Sequence, residues 1–339
     1  MANRVTIVDV AERAGVAISS VSSALNNRPG VSESTRKRIL ETAAELKFVP
    51  SLRGKSLSAK RAFAVGFVVH RDPTVLESDP FFASFIGGLE SVLDSRGYAL
   101  VLQMRSDAGN AVERYRKLAA DRRVDGVFLS EIEIDDPRIE LLQELQLPAV
   151  AINPDRGPFP FPAVRQDHRE GIAHLVRHLT DAGHERIAYV SGPLNFIHSR
   201  QRLEAWRESV LDRGLRPGPT FEGDFTFDGG LRAADTLLSH KVRPTAVMFG
   251  NDLMAVGFMT RAAALGFDIP ADVSVAGYDG IQLGEYIRPS LTTLRTSPHL
   301  VGAEAARLLV DAIEGKPGDD VDVPAAELVI RHSTGPAAV

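Results

Sequence analysis

The sequence predicts two folding units: a small all-α unit at the amino terminus, followed by a larger two-lobed α/β unit with parallel sheets. The chain has 339 residues, and a single hydrophobic core stops growing near roughly 250–300 residues. Residues 1–49 contain only short amphipathic helical patterns. From residue 62 onward, short apolar runs alternate with stretches of helical length, which is typical of β-α-β units in parallel sheets.

The amino acid composition limits the class of protein. Hydrophobic residues make up 44% and charged residues 24% of the chain, as in globular proteins, which excludes a disordered or fibrous chain. The chain has no cysteine, which excludes disulfides and thiolate metal sites. Residues 1–13 are polar, and the apolar run 62–69 is too short to span a bilayer. We therefore expect a cytoplasmic protein without a membrane partner, metal or cofactor.

Charge is distributed unevenly along the chain. The formal net charge is −5, yet residues 1–61 contain eleven Lys and Arg against five Asp and Glu, so this segment carries +6 and the remainder −11. A basic end on an acidic body is the pattern of a chain that meets phosphates with one end. Arg36, Lys37 and Arg38 are expected on the outer face of a helix, where they can meet phosphates.

Three short helices are predicted in residues 1–49. Thr6 and Asp9 form the pattern of a capped helix start, and Gly15 ends this first helix where a tight turn needs a positive φ. A second short helix is predicted over Ala17–Asn26, and Ser32 caps a third. Two small helices joined by a glycine turn predict a helix-turn-helix, whose second helix can lie in a DNA major groove.

Residues 6–26 (TIVDVAERAGVAISSVSSALN) and 31–50 (VSESTRKRILETAAELKFVP) carry a specific pattern. They resemble the DNA-binding headpiece of the LacI/GalR family of bacterial transcription regulators. The resemblance implies a helix-turn-helix DNA-binding domain at residues 1–49. It also implies a homodimer that binds double-stranded DNA at a near-palindromic operator.

The resemblance also implies which residues contact DNA. Bases would be read by Ile18, Ser19 and Ser23. Further contacts are expected from Thr6, Ile7, Ala17, Ser22, Asn26, Ser32 and Thr35. Two positions depart from the family pattern: Ala17 stands where a polar residue is usual, and Ser23 stands where Arg is frequent, so the strong bidentate contact to guanine is absent. The operator sequence does not follow from these residues.

Residues 50–60 (PSLRGKSLSAK) match the hinge helix of the same family. The resemblance implies that two copies pair in the minor groove, that Ser51 contacts DNA and that Leu57 wedges open the central base step. Gly54 weakens such a helix by about 1 kcal/mol. A plain flexible linker is the alternative interpretation of this segment.

The remainder of the chain, from residue 62 onward, is predicted to form two sets of alternating strands and helices. Strands are predicted at 63–69, 99–104, 126–130, 149–153, 163–166, 187–191, 245–250, 273–277, 291–295 and 327–331. Amphipathic helices are predicted between them, for example at 82–95, 169–182, 202–213 and 252–265. The proline-rich segment 148–162 is interpreted as the first crossing between two lobes.

Several landmarks in this part of the chain carry a second resemblance. They include Gly192-Pro193-Leu194, Asn251-Asp252 and Gly277-Tyr278-Asp279. The segment resembles the periplasmic-binding-protein-like (type I) effector and dimerisation domain of the LacI/GalR family, which implies such a domain over residues 61–336. Because the family chain crosses between lobes three times, we expect an N-lobe at about 61–162 and 296–322. The C-lobe is expected at about 163–295 and 323–336.

The second resemblance implies an effector site between the lobes. Its expected residues are Phe82, Asn153, Phe196, His198, Arg202, Phe225, Asn251 and Asp279. Phe196 and His198 occupy family-variable specificity positions, as do His70 and Arg71. Arg202 would grip effector oxygens, Asp279 would accept hydroxyls and Phe225 would stack on the ligand. As isolated residues, Arg202 reads as surface and the Phe residues as core. Together they favour a sugar or sugar derivative; a nucleobase or nucleoside is the alternative.

Other classes of protein are weighed against this interpretation. The chain has no dinucleotide-binding motif, P-loop or nucleophile elbow. His174 and His178 share a helix face, but a third metal ligand is not evident. We therefore predict a transcriptional repressor controlled by a small-molecule effector and not an enzyme. A sugar-binding or sugar-metabolising protein without DNA function is the alternative from another class.

Overall fold

The computed structural model describes residues 5–25, 28–49, 56, 59, 61–69, 71, 75–104, 111–316 and 318–338. The chain divides into two compact units, a first unit of residues 1–62 and a second unit of residues 63–339. Three predicted DNA contacts, Asn26, Ser51 and Leu57, lie outside the described residues, as do most of the predicted hinge helix and His70.

Among the residues that the structure describes between 5 and 49, the first unit has three helices around a small core. Helix α1 spans Ile7–Ala14, α2 spans Ile18–Leu25 and α3 spans Glu33–Glu45. The buried core residues are Val10, Ala11, Ala14, Val21, Ala24, Ile39 and Ala43. Gly15 ends α1 with a φ of +63°, and its N–H bonds the last turn of α1. The helix-turn-helix therefore depends on a left-handed residue that glycine adopts at little cost.

Arg36 does not serve the role that its sequence position suggests. Its guanidinium donates to the backbone oxygens of Ala24 (3.0 Å) and Arg28 (2.6 Å). These bonds satisfy carbonyls at and just beyond the end of α2, which otherwise lack a helical partner. The expectation that Arg36 faces outward toward phosphates is therefore wrong, whereas Lys37 and Arg38 are exposed.

The described residues of the second unit form two six-stranded sheets. The first sheet has strands β1 Ala64–Val69, β2 Ala99–Met104, β3 Gly126–Leu129, β4 Ala149–Ile152, β5 Ala163–Gln166 and β11 Val321–Val323, in the order β11-β5-β4-β3-β1-β2. The second has β6 Ile187–Ser191, β7 Thr220–Glu222, β8 Ala246–Phe249, β9 Ser274–Asp279, β10 Thr292–Arg295 and β12 Glu327–Val329, in the order β12-β10-β9-β8-β6-β7. Neighbouring strands are parallel except β10 and β12.

Helices cover the sheets. Helices α4 Val75–Ser78, α5 Pro80–Arg96, α6 Ala111–Ala120, α7 Pro137–Glu144 and α13 Pro298–Ile313 belong to the first lobe, the lobe of the first sheet. Helices α8 Arg169–Asp181, α9 Ile197–Asp212, α10 Phe227–Leu238, α11 Asp252–Ala264 and α12 Leu283–Tyr286 belong to the second lobe. No helix among the described residues is long and apolar enough to cross a membrane.

Three parts of the sequence-based organisation need correction: the first crossing between the lobes, two missed strands and the start of one helix. Strand β5 pairs with β4 in the first sheet, so segment 148–162 is not an interlobe crossing and the lobe boundary predicted at 162 falls too early. The chain crosses after Gln166, between Arg295 and Pro298, and between β11 and β12. Strands β7 and β11 were not predicted, because both are three-residue edge strands without an apolar run. Helix α9 also begins five residues before the predicted position 202.

Candidate DNA-binding surface and effector cleft

Helix α2 carries the three predicted base-reading residues, two of them at its amino-terminal end. Ala17, Ile18 and Ser19 are exposed, and Ile18 is 48% exposed although its side chain is apolar. Ser22 and Ser23 are half-buried. An exposed isoleucine at the start of a helix that can enter a major groove fits contact with a thymine methyl group. These residues remain predicted DNA contacts.

The other predicted headpiece contacts hold the helices in place. Thr6 donates its backbone N–H (2.6 Å) and its hydroxyl (2.8 Å) to Asp9 at the start of α1. Ser32 accepts the N–H of Thr35 (3.3 Å) and donates to the Thr35 hydroxyl (2.8 Å) at the start of α3. Ile7 packs against the core. DNA contact would be an additional role for these four residues.

A cleft between the two sheets is the candidate site of the second unit. It contains about 640 Å³ of empty space, part of it open to solvent. Carboxyl ends of strands from both sheets meet here: Asn153 follows β4, Asn251 follows β8 and Asp279 ends β9. Ligands of open α/β folds bind at such strand ends.

Seven of the eight predicted effector contacts line this cleft. The first lobe contributes Phe82 and Asn153, and the second contributes His198, Arg202, Phe225, Asn251 and Asp279. Phe196 is not part of the described lining; its ring stacks on the ring of His198 with 5.6 Å between centroids. The structure therefore brings the set together, and contact with an effector remains a prediction.

Four cleft residues have strained backbones. Glu131, Asn153, Phe225 and Asp279 adopt φ values of +48°, +50°, +64° and +115°. Such conformations cost of order 1–3 kcal/mol each in residues other than glycine and cluster at functional sites. The carboxyl ends of several strands therefore turn sharply to place side chains in the cleft.

Arg202 is half-buried and lines the cleft. Its Nη1 donates to the backbone oxygen of Gly250 (2.8 Å), and its Cζ lies 3.8 Å from the ring centroid of Tyr278. Its Nε is buried and has no hydrogen-bond partner among the described residues. A buried N–H without a partner is costly, so this donor is available to an oxygen of a bound molecule.

The carboxyl groups of the cleft are shifted toward the neutral form. Burial raises the pKa of Asp279 well above its usual range, and the nearby charge of Arg202 opposes this shift. Burial likewise raises the pKa of Asp79, which also accepts the N–H of Phe81 (3.0 Å) at the start of α5. A raised pKa favours the protonated carboxyl group, which can donate as well as accept a hydrogen bond, and this suits hydroxyl groups of a ligand.

The two predicted asparagines position other parts of the site. Asn251 caps α11 by accepting the N–H of Met254 (3.1 Å), and its amide donates to the backbone oxygen of Phe225 (2.9 Å). Asn153 accepts the N–H of Gln166 (2.8 Å). Asn251 therefore holds Phe225 in place, and Asn153 links two neighbouring strand ends.

Phe225 belongs to a column of three rings. The ring of His198 lies between Phe196 and Phe225, with 5.6 Å between neighbouring centroids and interplanar angles of 13° and 15°. Burial, followed by the charges of Arg202 and Arg71, lowers the pKa of His198 well below its usual value. His198 is therefore a neutral, aromatic member of the cleft wall.

Several cleft residues were missed from the sequence. Ser130 and Glu131 follow β3, and each has a buried oxygen without a partner among the described residues. The rule that ligands bind at carboxyl ends of parallel strands could have indicated both. Asp79 precedes a helix, and Phe81 and Phe85 lie at core spacing on α5, so no local signal distinguished them.

Asp252 lies beneath this cleft and predicts a pH dependence of stability. It is fully buried, and accepts the Thr293 hydroxyl (2.6 Å) and the N–H of Ile281 (2.8 Å). Burial raises its pKa from 3.8 to about 7. The folded chain therefore holds a proton between these pH values that the unfolded chain releases, so this group's contribution to the free energy of unfolding falls as the pH rises from about 4 to about 7.

Asp252→Asn should remove this contribution. As the pH rises from 5 to 7, the free energy of unfolding of the variant should increase relative to that of the natural chain. At 1.36 kcal/mol per pH unit, this difference approaches about 4 kcal/mol over the full window from about pH 4 to about pH 7. Urea unfolding of both proteins at the two pH values measures the difference. Asp212→Asn, on an exposed helix end, serves as the control. Parallel pH profiles for the Asp252 variant and the natural chain would contradict the prediction.

Comparison with known proteins identifies the family. Residues 6–51 match the model of bacterial regulatory proteins of the lacI family, and residues 176–334 match the model of a periplasmic binding protein-like domain. The chain is 32% identical over 334 residues to the HTH-type transcriptional repressor PurR of Vibrio vulnificus (strain CMCP6), covering 97% of this chain and 98% of that protein. It is 33% identical to the ribose operon repressor of Escherichia coli (strain K12), covering 91% and 93%.

Solved structures agree with this result. The Lac repressor dimer bound to operator and the anti-inducer ONPF matches with a TM-score of 0.82 and 28% identity, covering 98% of this chain and all of that one. A complex of the transcriptional regulator CelR with cellobiose matches with a TM-score of 0.75 and 32% identity, covering 97% and 100%. The predicted fold class is confirmed.

A helix-turn-helix unit joined to a two-lobed unit with a cleft at the carboxyl ends of its strands defines a DNA-binding transcriptional regulator. The chain belongs to the lacI family of bacterial regulatory proteins. The resemblance inferred from the sequence is thereby confirmed, and the chain is a regulator and not an enzyme. The match of residues 6–51 also decides against a sugar-binding or sugar-metabolising protein without DNA function.

Proposed function

We propose that this chain is a cytoplasmic, homodimeric repressor whose DNA binding is controlled by a small molecule in the cleft. The observation that carries the proposal is a set of unpaired polar atoms in the cleft: Arg202 Nε, Ser130 Oγ and Glu131 Oε2 are buried without partners among the described residues. Such atoms are satisfied by a molecule that offers both donors and acceptors. The Lac repressor, a relative of similar fold, forms a dimer on its operator.

The effector is a sugar or sugar derivative. Hydroxyl groups both donate and accept hydrogen bonds, so they complement the donor of Arg202 and the oxygens of Ser130, Glu131 and Asp279. Two proteins of similar structure support this class: CelR binds cellobiose, and a LacI-family regulator from Enterococcus faecium binds ribose.

A nucleobase or nucleoside is the second candidate effector. The first lobe contributes the rings of Phe67, Phe81, Phe82 and Phe85 to the cleft. Phe81 and Phe85 stack with 6.1 Å between centroids, and Phe81 meets Phe82 edge to face at 5.5 Å. Aromatic walls favour planar ligands, which makes this class a specific alternative.

A thermal-shift panel of ribose, glucose, cellobiose, hypoxanthine, adenosine and uridine tests the effector class. A ligand at 100 times its Kd stabilises the unit that binds it by about 2.7 kcal/mol. Stabilisation by sugars alone supports the first candidate, and stabilisation by bases or nucleosides alone supports the second. Chemical turnover of a stabilising compound, followed by chromatography, would contradict the proposal of a sensor.

Operator binding and dimer formation are tested without an effector. Fragments of genomic DNA that the full chain retains should share a near-palindromic sequence, because two copies of the first unit would contact two half-sites. Light scattering of the purified chain should give twice the chain mass. A monomer that retains no DNA fragment would contradict both parts of the proposal.

A further inference from the structure

Arg71 forms an ion pair inside the cleft, and the proposed function assigns no role to Arg71. It lies two residues after β1 of the first lobe, and its Nε is 2.6 Å from Oε1 of Glu131 in the same lobe. The two side chains are only 12% and 9% exposed. Because a charged pair is costly to bury, its position at the cleft calls for a functional reason.

The same guanidinium also contacts the second lobe. Its Cζ lies 4.9 Å from the ring centroid of Phe225 and 5.5 Å from that of Phe196. Its Nη1 donates to the backbone oxygen of Asp224 at 3.4 Å. A planar guanidinium over aromatic faces is a favourable cation–π arrangement. The side chain of Arg71, in the first lobe, therefore contacts three residues of the second lobe: Phe196, Asp224 and Phe225.

The strand order places this contact far from the hinge. The chain crosses between lobes after β5, after β10 and after β11, which lie toward one edge of each sheet. Arg71 follows β1, next to the opposite edge of the first sheet, and Asp224 and Phe225 follow β7, the opposite edge strand of the second. Because opening separates the lobes most at points far from the hinge, a contact at such a point resists opening most effectively.

We propose that Arg71 is an interlobe clasp that holds the cleft closed and sets how long the effector stays bound. Arg71 lines the empty space of the cleft, so it borders the space that an effector would occupy. Glu131 orients the guanidinium of Arg71, which packs over the rings of Phe225 and Phe196. The role in effector retention rests on the proposed function, whereas the role in closure does not.

Closure of the cleft is measured on the free protein by double electron–electron resonance between two spin labels. Because the chain has no cysteine, labels are introduced as Glu77→Cys and Asp228→Cys, exposed positions of the first and second lobe. Arg71→Met keeps a long side chain and removes the charge; we expect it to shift the distance distribution toward longer, open states. Arg207→Met, at an arginine that is 48% exposed on α9, should leave the distribution unchanged. A distribution for Arg71→Met that equals that of the unsubstituted labelled chain would overturn the clasp.

Arg71→Lys provides a second variant if Arg71→Met is poorly folded. It keeps the charge beside Glu131 but loses the planar contact with the two rings, so an intermediate degree of opening is expected. Distances identical to those of the unsubstituted chain would again overturn the proposal. This measurement needs neither effector nor DNA, so a failure here is distinguishable from a failure of the proposed function.

Effector retention is measured with a compound that stabilises the chain in the thermal-shift panel. Stopped-flow dissociation from Arg71→Met should be about tenfold faster than from the natural chain, while Arg207→Met should match the natural chain. An unchanged dissociation rate would overturn the role in retention even if the cleft opens. If no compound in the panel binds, the proposed function fails and the distance measurement still decides on the clasp.

Discussion

Arg202→Ala is expected to abolish the effector response and to leave operator affinity unchanged. Arg202 donates to the Gly250 carbonyl, lies over Tyr278 and has a buried Nε without a partner among the described residues. Charged hydrogen bonds are among the strongest in a binding site, and losing one that leaves buried groups unpaired costs about 2–5 kcal/mol. Effector affinity, measured by calorimetry, should therefore fall by a factor of about 30 or more.

A matched substitution separates this role from folding. Arg207→Ala removes an arginine from the same helix, where its only ion pair in the described part of the chain is with Glu204 at 3.6 Å. It should change neither effector nor operator affinity. If Arg202→Ala instead lost DNA binding together with a cooperative unfolding transition, Arg202 would be a structural residue.

Ile39→Ala is expected to unfold the first unit and to leave the second unit intact. Ile39 is completely buried among the seven core residues of the three helices. Truncating a buried isoleucine to alanine costs about 2–5 kcal/mol, and a unit of this size has little stability to lose. Affinity for a retained operator fragment should fall at least tenfold, while the thermal transition of the effector-binding unit should stay unchanged.

The neighbouring residue provides the control. Leu40 is on the same helix but 45% exposed, so Leu40→Ala leaves no cavity and should keep both operator affinity and helix content. Circular dichroism and limited proteolysis report on the first unit directly. A fully folded, DNA-binding Ile39→Ala protein would contradict the assigned core.

Local signals in the sequence predicted the first unit well, because each helix boundary depends on neighbouring residues. Thr6 and Asp9 form the expected cap, and Gly15 has the positive φ that its position required. Arg36 was interpreted wrongly because its partners, the carbonyls of Ala24 and Arg28, are brought to it only by the packing of α3.

The sequence predicted the buried strands of the second unit but not the edge strands β7 and β11. Apolar runs revealed the buried strands, whereas β7 and β11 obtain their pairing from the sheet and not from their own residues. The crossing after Gln166 was placed too early because proline content marks a loop but does not show which sheet the next strand joins.

The prediction of the cleft residues depended on the family resemblance more than on the chemistry of neighbouring residues. Arg202 and Phe225 read individually as surface and core residues, and only the resemblance brought them together. Glu131 and Asp79 have unusual environments because of long-range burial, which has no counterpart in sequence spacing. The ion pair of Arg71 with Glu131 joins residues 60 positions apart, and no pattern in the sequence indicated it.

The central claim is that the cleft ligand and operator DNA affect each other through one chain. Fluorescence anisotropy of a retained operator fragment, titrated with the full chain with and without saturating effector, measures this coupling. Typical coupling free energies are about 1–3 kcal/mol, so we expect operator affinity to change by at least fivefold, and effector affinity for the DNA-bound chain to change by the same factor. An effector that saturates the cleft while the operator affinity stays constant would contradict the account.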